Sequence, residues 1–224
     1  MVDITGSGFT GAFRLKPIVF AAIGLMVAYV LYHNERFLID SAAPVWKHYE
    51  PFKWWLLPHG LAGACALILA PLQFWDGLRR RHLTLHRTTG AIYVAGALVL
   101  APLGAYIQIL NELQGAARSF SVETAIQSSL LFVTTLIGLI FALWGKIDQH
   151  RQWMVRSYAV ALTFLEIRVF YGLSGLEEPF DWHVLETIVW SFTASALLVG
   201  DLANLVYDAR VGRRATARVR VPAE

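Results

Sequence analysis

Six stretches of this 224-residue chain are apolar almost without interruption, near 17–32, 55–75, 89–110, 127–145, 153–173 and 184–206. Most approach the roughly 20 residues that a helix needs to cross the hydrocarbon of a bilayer. Lipid offers no partner for free backbone groups, so each segment must satisfy its own or join a closed barrel. The runs lack strand-like alternation, which leaves helices. The expected fold is therefore all-α: a polytopic membrane protein with six transmembrane helices over 17–206.

Composition narrows the function. Charged residues make up 16% of the chain, against about 25% in soluble domains. That balance excludes a disordered chain, a coiled coil and a nucleic-acid partner. A single cysteine, Cys65, excludes a disulfide framework and any multi-cysteine metal site. Walker, dinucleotide-binding, H-E-x-x-H and G-x-S-x-G motifs are all missing, which disfavours the enzymes that carry them. No enzymatic activity is assigned from the sequence.

The basic residues set an orientation. Two lie in the N-terminal tail 1–16 (Arg14, Lys16), four in the 76–88 loop, three in the 146–156 loop and five in the C-terminal tail 207–224. These fourteen share one side, against four on the other (Arg36, Lys47, Lys53, Arg118). Such a bias places both termini in the cytoplasm. Tryptophans at outer ends (Trp54, Trp55, Trp182) and inner ends (Trp75, Trp144, Trp153) fit two interfacial belts. The tail arginines, among them Arg213, Arg214, Arg218 and Arg220, would meet anionic membrane lipid. A fluorescent reporter fused to the C-terminus should light up in the cytoplasm. Strong activity from a reporter that works only in the periplasm would overturn this orientation.

A faint repeat organises the middle of the chain. Spans two and three form one hairpin, spans four and five another, and both turn on the inner side. Each return helix opens with the same dipeptide: His86-Arg87 followed by Tyr93, and His150-Arg151 followed by Tyr158. Two parallel hairpins make a four-helix core over 55–173, with the first and sixth spans peripheral.

Histidines on facing helices of a bundle are the usual axial ligands of a b-type haem. His86 and His150 form a candidate metal-binding pair at the inner face, and His59 and His183 a second pair at the outer face. Arg87, Arg151 and Arg156 adjoin the inner pair, where guanidinium groups can hold propionates. The same residues also suit a hydrogen-bonded rim that meets lipid phosphate. Glu166 and Arg168 fall inside the fifth apolar stretch, where charges are costly and face a bundle interior. They lie on different faces, so each needs its own partner. Arg168 and His150 lie 18 residues apart, which is about five turns, and share one face with Ser157. Arg168 can grip a propionate, a quinone carbonyl or another anionic group. The alternative is an ion pair with Asp181 or Glu186. Asp76 and Asp201 are expected to pair with Arg79 or Arg80, and Gln73 and Gln108 to act as polar glue between helices.

His59, the segment Pro71-Leu72-Gln73-Phe74, the arginine cluster, His86-Arg87-x-x-Gly90-x-x-Tyr93 and His150-Arg151-x-Trp153-Met154-x-Arg156-Ser157-Tyr158 with Arg168 together resemble the bacterial membrane proteins grouped as domain of unknown function 2306. The likeness covers roughly 55–173 and implies a fold, with no activity attached. It suggests the inner membrane of a bacterium. The helical arrangement is also similar to the two-haem transmembrane cytochromes b that take electrons from ascorbate. His86 and His150 fit that pattern, whereas the fourth span has no histidine and an outer haem would need His183. Three functional classes are expected: a haem- or quinone-linked electron carrier with haem b; an accessory subunit of a larger, respiratory-type membrane complex; or a small-molecule transporter.

Overall fold

The computed structural model describes residues 15–35, 40, 42, 43, 45–176 and 181–219. Residues 1–14 of the expected N-terminal tail lie outside the described residues, as do the side chains of Arg213, Arg214, Arg218 and Arg220. The helices are α1 (Leu15–His33), α2 (Val45–Tyr49), α3 (Lys53–Gln73), α4 (Asp76–Arg81), α5 (Leu83–Leu113), α6 (Arg118–Leu143), α7 (Ile147–Ser174) and α8 (Trp182–Val219). Among the described residues there is no strand. The helices run through Pro58, Pro71 and Pro102. Neighbouring helices in a membrane bundle can satisfy the backbone groups that proline frees. The segment expected as a tail from 207 is helical as far as Val219.

Helices α1, α3, α5, α6 and α8 are long and apolar enough to span a bilayer, five rather than the six expected. Helix α7, over the expected span 153–173, is long enough at 28 residues but carries Asp148, Arg151, Arg156, Glu166 and Arg168. It can do so because it is the interior helix, packed against α1, α3, α6 and α8. Protein side chains, rather than lipid, meet most of its polar groups.

Helices α3, α5, α6 and α7 pack in sequence, and α7 closes on α3. This ring is the expected four-helix core of two hairpins. Helix α1 lies against α7. Helix α8 is less peripheral than expected, since it packs on α7 as extensively as α6 does. The α6–α7 turn depends on Gly145, whose φ of 71° lies in the left-handed region that residues with a Cβ avoid. Large apolar side chains such as Leu25, Leu61 and Leu198 cover the outside and are about 70% exposed, as a lipid-facing surface requires.

Small residues set the helix spacing in the core. Ala62, Ala66 and Ala70 of α3 are buried, as are Gly96, Ala97 and Ala101 of α5. A Cβ on Gly96 would stand 2.9 Å from the Ala62 carbonyl oxygen, which is backbone and has nowhere to go. A Cβ on Gly138 would also collide, at 2.6 Å, but with the mobile sulfur of Met154. Gly96→Ala should therefore destabilise the bundle by about 1–3 kcal/mol, as overpacking does. Gly138→Ala should cost less, and Gly24→Ala, where the space is open, almost nothing. Denaturant titration in mixed micelles gives the order; equal losses at Gly96 and Gly24 would contradict it.

Candidate functional site

The end of the bundle that carries the hairpin turns is basic. His86 is the fourth residue of α5 and His150 the fourth of α7, so the two repeats place them at one level. Helices α5 and α7 are diagonal in the four-helix ring. His150 Nδ1 lies 2.8 Å from the Gly138 carbonyl oxygen. A carbonyl only accepts, so Nδ1 carries a proton, and in the neutral imidazole Nε2 then keeps its lone pair. Gln73 of α3 reaches the same level. Turned so that each contact joins donor to acceptor, its nitrogen donates to His86 Nδ1 at 3.2 Å and its oxygen accepts from Thr89 Oγ1 at 2.7 Å.

Two turns deeper the diagonal is bridged. Tyr93 Oη and Ser157 Oγ are 2.7 Å apart, and Thr135 Oγ1 lies 2.7 Å from the same Ser157 oxygen. All three side chains are fully buried. Tyr158 Oη donates to the Leu67 carbonyl at 3.4 Å, which ties α7 to α3.

The arginines beside His150 are engaged elsewhere. Arg151 donates to Asp208 at 2.6 Å and stacks 3.9 Å over the Tyr207 ring. Arg156 donates to Asp201 at 2.6 Å. Both carboxylates are on α8, so these guanidinium groups fasten α8 to α7. The propionate role expected for Arg151 and Arg156 would have to compete with these carboxylates, whereas Arg87, the third of that set, is exposed. Asp201 pairs with Arg156 instead of Arg79 or Arg80. Asp76 does take Arg79, at 3.3 Å, together with Lys16 at 3.2 Å.

The far end holds the second polar level. Arg168 donates to Glu35 at 2.5 Å and lies 4.3 Å over the Phe164 ring. This corrects the expected partners. Asp181 instead accepts from the His183 backbone N–H at the start of α8, and Glu186 accepts from Ser119. The supposed outer histidine pair is not assembled: His183 is on the exposed first turn of α8. His59 is turned into the core, with its Cε1 3.1 Å from where a Cβ on Gly104 would be. Glu166 forms no ion pair among the described residues.

One residue here had no place in the sequence reading. Glu123 is 1% exposed; its Oε1 accepts from Thr193 at 2.5 Å and its Oε2 has no partner. Gln108 Nε2, Asn111 Oδ1 and His59 Nδ1 are likewise buried without partners. Their depths agree. Gln108 stands five residues before the end of α5 and Glu123 five after the start of α6; His59 and Arg168 each stand six from the far ends of α3 and α7. Among the described residues no three His, Cys, Asp or Glu side chains come together as a metal cluster.

Comparison with known proteins gives a family and nothing closer. A family model described as predicted membrane protein (DUF2306) matches residues 56–200. No curated protein and no solved structure matches the chain.

Proposed function

We propose, for a chain that belongs to the DUF2306 family of predicted membrane proteins, that the four-helix core carries electrons through one b-type haem held between His86 and His150. The observation that carries this reading is the histidine level itself. Two imidazoles stand on diagonal helices of a bundle at equal depth, and His150 gives its Nδ1–H to a backbone carbonyl. That bond fixes the tautomer whose Nε2 can ligate a metal, as in most haem and zinc histidines. Gln73 meets His86 differently. In the structure the Gln73 nitrogen donates to His86 Nδ1 at 3.2 Å, so ligation through Nε2 would require Gln73 to move aside and the proton to pass from Nε2 to Nδ1. Arg87 is the nearby cation left to meet a propionate. When bound, haem would supply reversible one-electron chemistry; His86 and His150 would hold it and Arg87 would meet a propionate. In this reading the protein sits in a bacterial inner membrane with the basic end, and both termini, in the cytoplasm.

The test is a visible spectrum of protein purified from haem-supplemented cells, before and after reduction. Expected are a Soret band and a sharpened α-band on reduction, and loss of most haem from His86→Ala and from His150→Ala. Gln73→Leu, which removes the donor to His86 Nδ1, should leave haem retention unchanged or raise it. Variants that run as monodisperse protein yet retain full haem, or a colourless parent protein, would overturn the reading.

A second reading rests on the far end. Buried, unpartnered atoms at Glu123, Gln108, Asn111 and His59 are the kind of intramembrane polar level that marks a transport path or a site for a polar headgroup such as a quinone. It is favoured if the protein proves colourless and Glu123→Gln abolishes uptake of a polar solute into vesicles.

A further inference from the structure

We propose that the elbow between α4 and α5 binds a phosphate-bearing anion, the headgroup of an acidic phospholipid. The elbow forms a groove of about 480 Å³ lined by Arg81, His82, Leu83, Thr84, Leu85 and Thr88. The charge pattern around it is one-sided. At this end of the bundle Lys16 and Arg79 are paired with Asp76, Arg151 with Asp208 and Arg156 with Asp201. Arg80, Arg81 and Arg87 have no carboxylate partner among the described residues. The sequence explains why: no Asp or Glu occurs from Gly77 to Asn111. Of these arginines, Arg81 lines the groove and Arg80 precedes it in α4.

The lining supplies the rest of a phosphate site. Thr84 and Thr88 are four residues apart on α5, so their hydroxyls lie on one face. The first N–H groups of α5 open at the same place and favour an anion. Leu83 and Leu85 are about half exposed beside the basic groups, which suits acyl carbon below a headgroup. A guanidinium presents paired donors that match phosphate oxygens. The depth also fits, because α5 starts here and continues as a membrane-length helix. The groove is separate from the His86–His150 level proposed above, and neither depends on the other.

The experiment uses the purified full chain. Native mass spectrometry follows exchange into phosphatidylcholine micelles with and without added phosphatidylglycerol; inorganic phosphate is titrated in parallel by calorimetry. The site predicts retention of phosphatidylglycerol over phosphatidylcholine. Arg80→Gln with Arg81→Gln should weaken that retention by roughly 30-fold, on the scale of two arginines at an anionic surface. Arg118→Gln, an exposed arginine at the far end, should leave it unchanged. Binding of inorganic phosphate that the double variant abolishes, without lipid preference, supports the same site with a soluble source. Equal lipid retention by the double variant and Arg118→Gln, with no phosphate binding, would overturn it.

Discussion

Arg168→Leu should cost the folded protein about 3 kcal/mol, the lower end of what removing one partner of a buried ion pair costs. The lower end applies because neither partner is fully sealed: the Arg168 side chain is 27% exposed and that of Glu35 21%. Leucine replaces the cation with apolar volume of similar reach, but it strands the Glu35 carboxylate inside the bundle. The stranded charge, more than the lost attraction, makes the loss large. Glu35→Leu should be comparably damaging, since it takes the carboxylate from a guanidinium that lies over the Phe164 ring. The double replacement should recover most of the stability, because a buried pair exchanged for apolar side chains is often close to neutral. A double-mutant cycle by denaturant titration in mixed micelles measures all three. Arg118→Leu is the reference, since exposed charges contribute little. Equal stability of Arg168→Leu and Arg118→Leu would sink the argument. The effect reaches beyond one contact. Helix α1 packs mainly on α7, and its other polar anchor, Lys16 to Asp76, is half exposed. Losing the Glu35 clamp should therefore free α1 first, visible as early proteolysis or hydrogen exchange there.

The helices of the core were legible in the sequence because uninterrupted apolar length is a one-dimensional property. The hairpin pairing was legible because His86-Arg87 and His150-Arg151 repeat at matching places. What the sequence hid was lateral. It marked Arg168 as needing a partner, and the nearest carboxylates along the outer loops were Asp181 and Glu186. The actual partner, Glu35, is 133 residues away and comes near only because α1 docks on α7. Glu123 was missed for a different reason. The fourth apolar run begins at 127, so Glu123 read as loop. The helix starts at Arg118, and its first turns are buried by α8, which supplies Thr193. Apolarity marks where lipid touches a helix, not where the helix begins. The carboxylate partners of Arg151 and Arg156 were hidden similarly. A propionate and an aspartate look alike to a guanidinium, and α8 brings Asp208 and Asp201 into range.

Ser157→Ala should cost about 2 kcal/mol although it removes a single oxygen. That oxygen holds two contacts, to Tyr93 Oη and to Thr135 Oγ1, each at 2.7 Å. Thr135 keeps a partner after the change, because its hydroxyl can donate to the Leu131 carbonyl at 2.7 Å. Tyr93 does not: its Oη has no other partner among the described residues, and its side chain is 1% exposed. The variant therefore leaves a buried phenol unsatisfied, and that penalty, about 1–3 kcal/mol, exceeds the net worth of the bond itself. Tyr93→Phe removes the same bond from the other side. It should cost less, about 1 kcal/mol, since Ser157 retains Thr135 and bonds within membrane bundles are individually modest. Combining the two should cost little more than Ser157→Ala alone, or even less, because the orphaned hydroxyl is gone. Additive losses would mean that the two oxygens act independently and that no network joins α5, α6 and α7 there. The layer lies two turns from His86 and His150 and ties together the helices that carry them. Slackening it should also loosen the histidine pair. In the haem reading, Ser157→Ala is then expected to broaden the reduced α-band while Tyr93→Phe leaves it sharper.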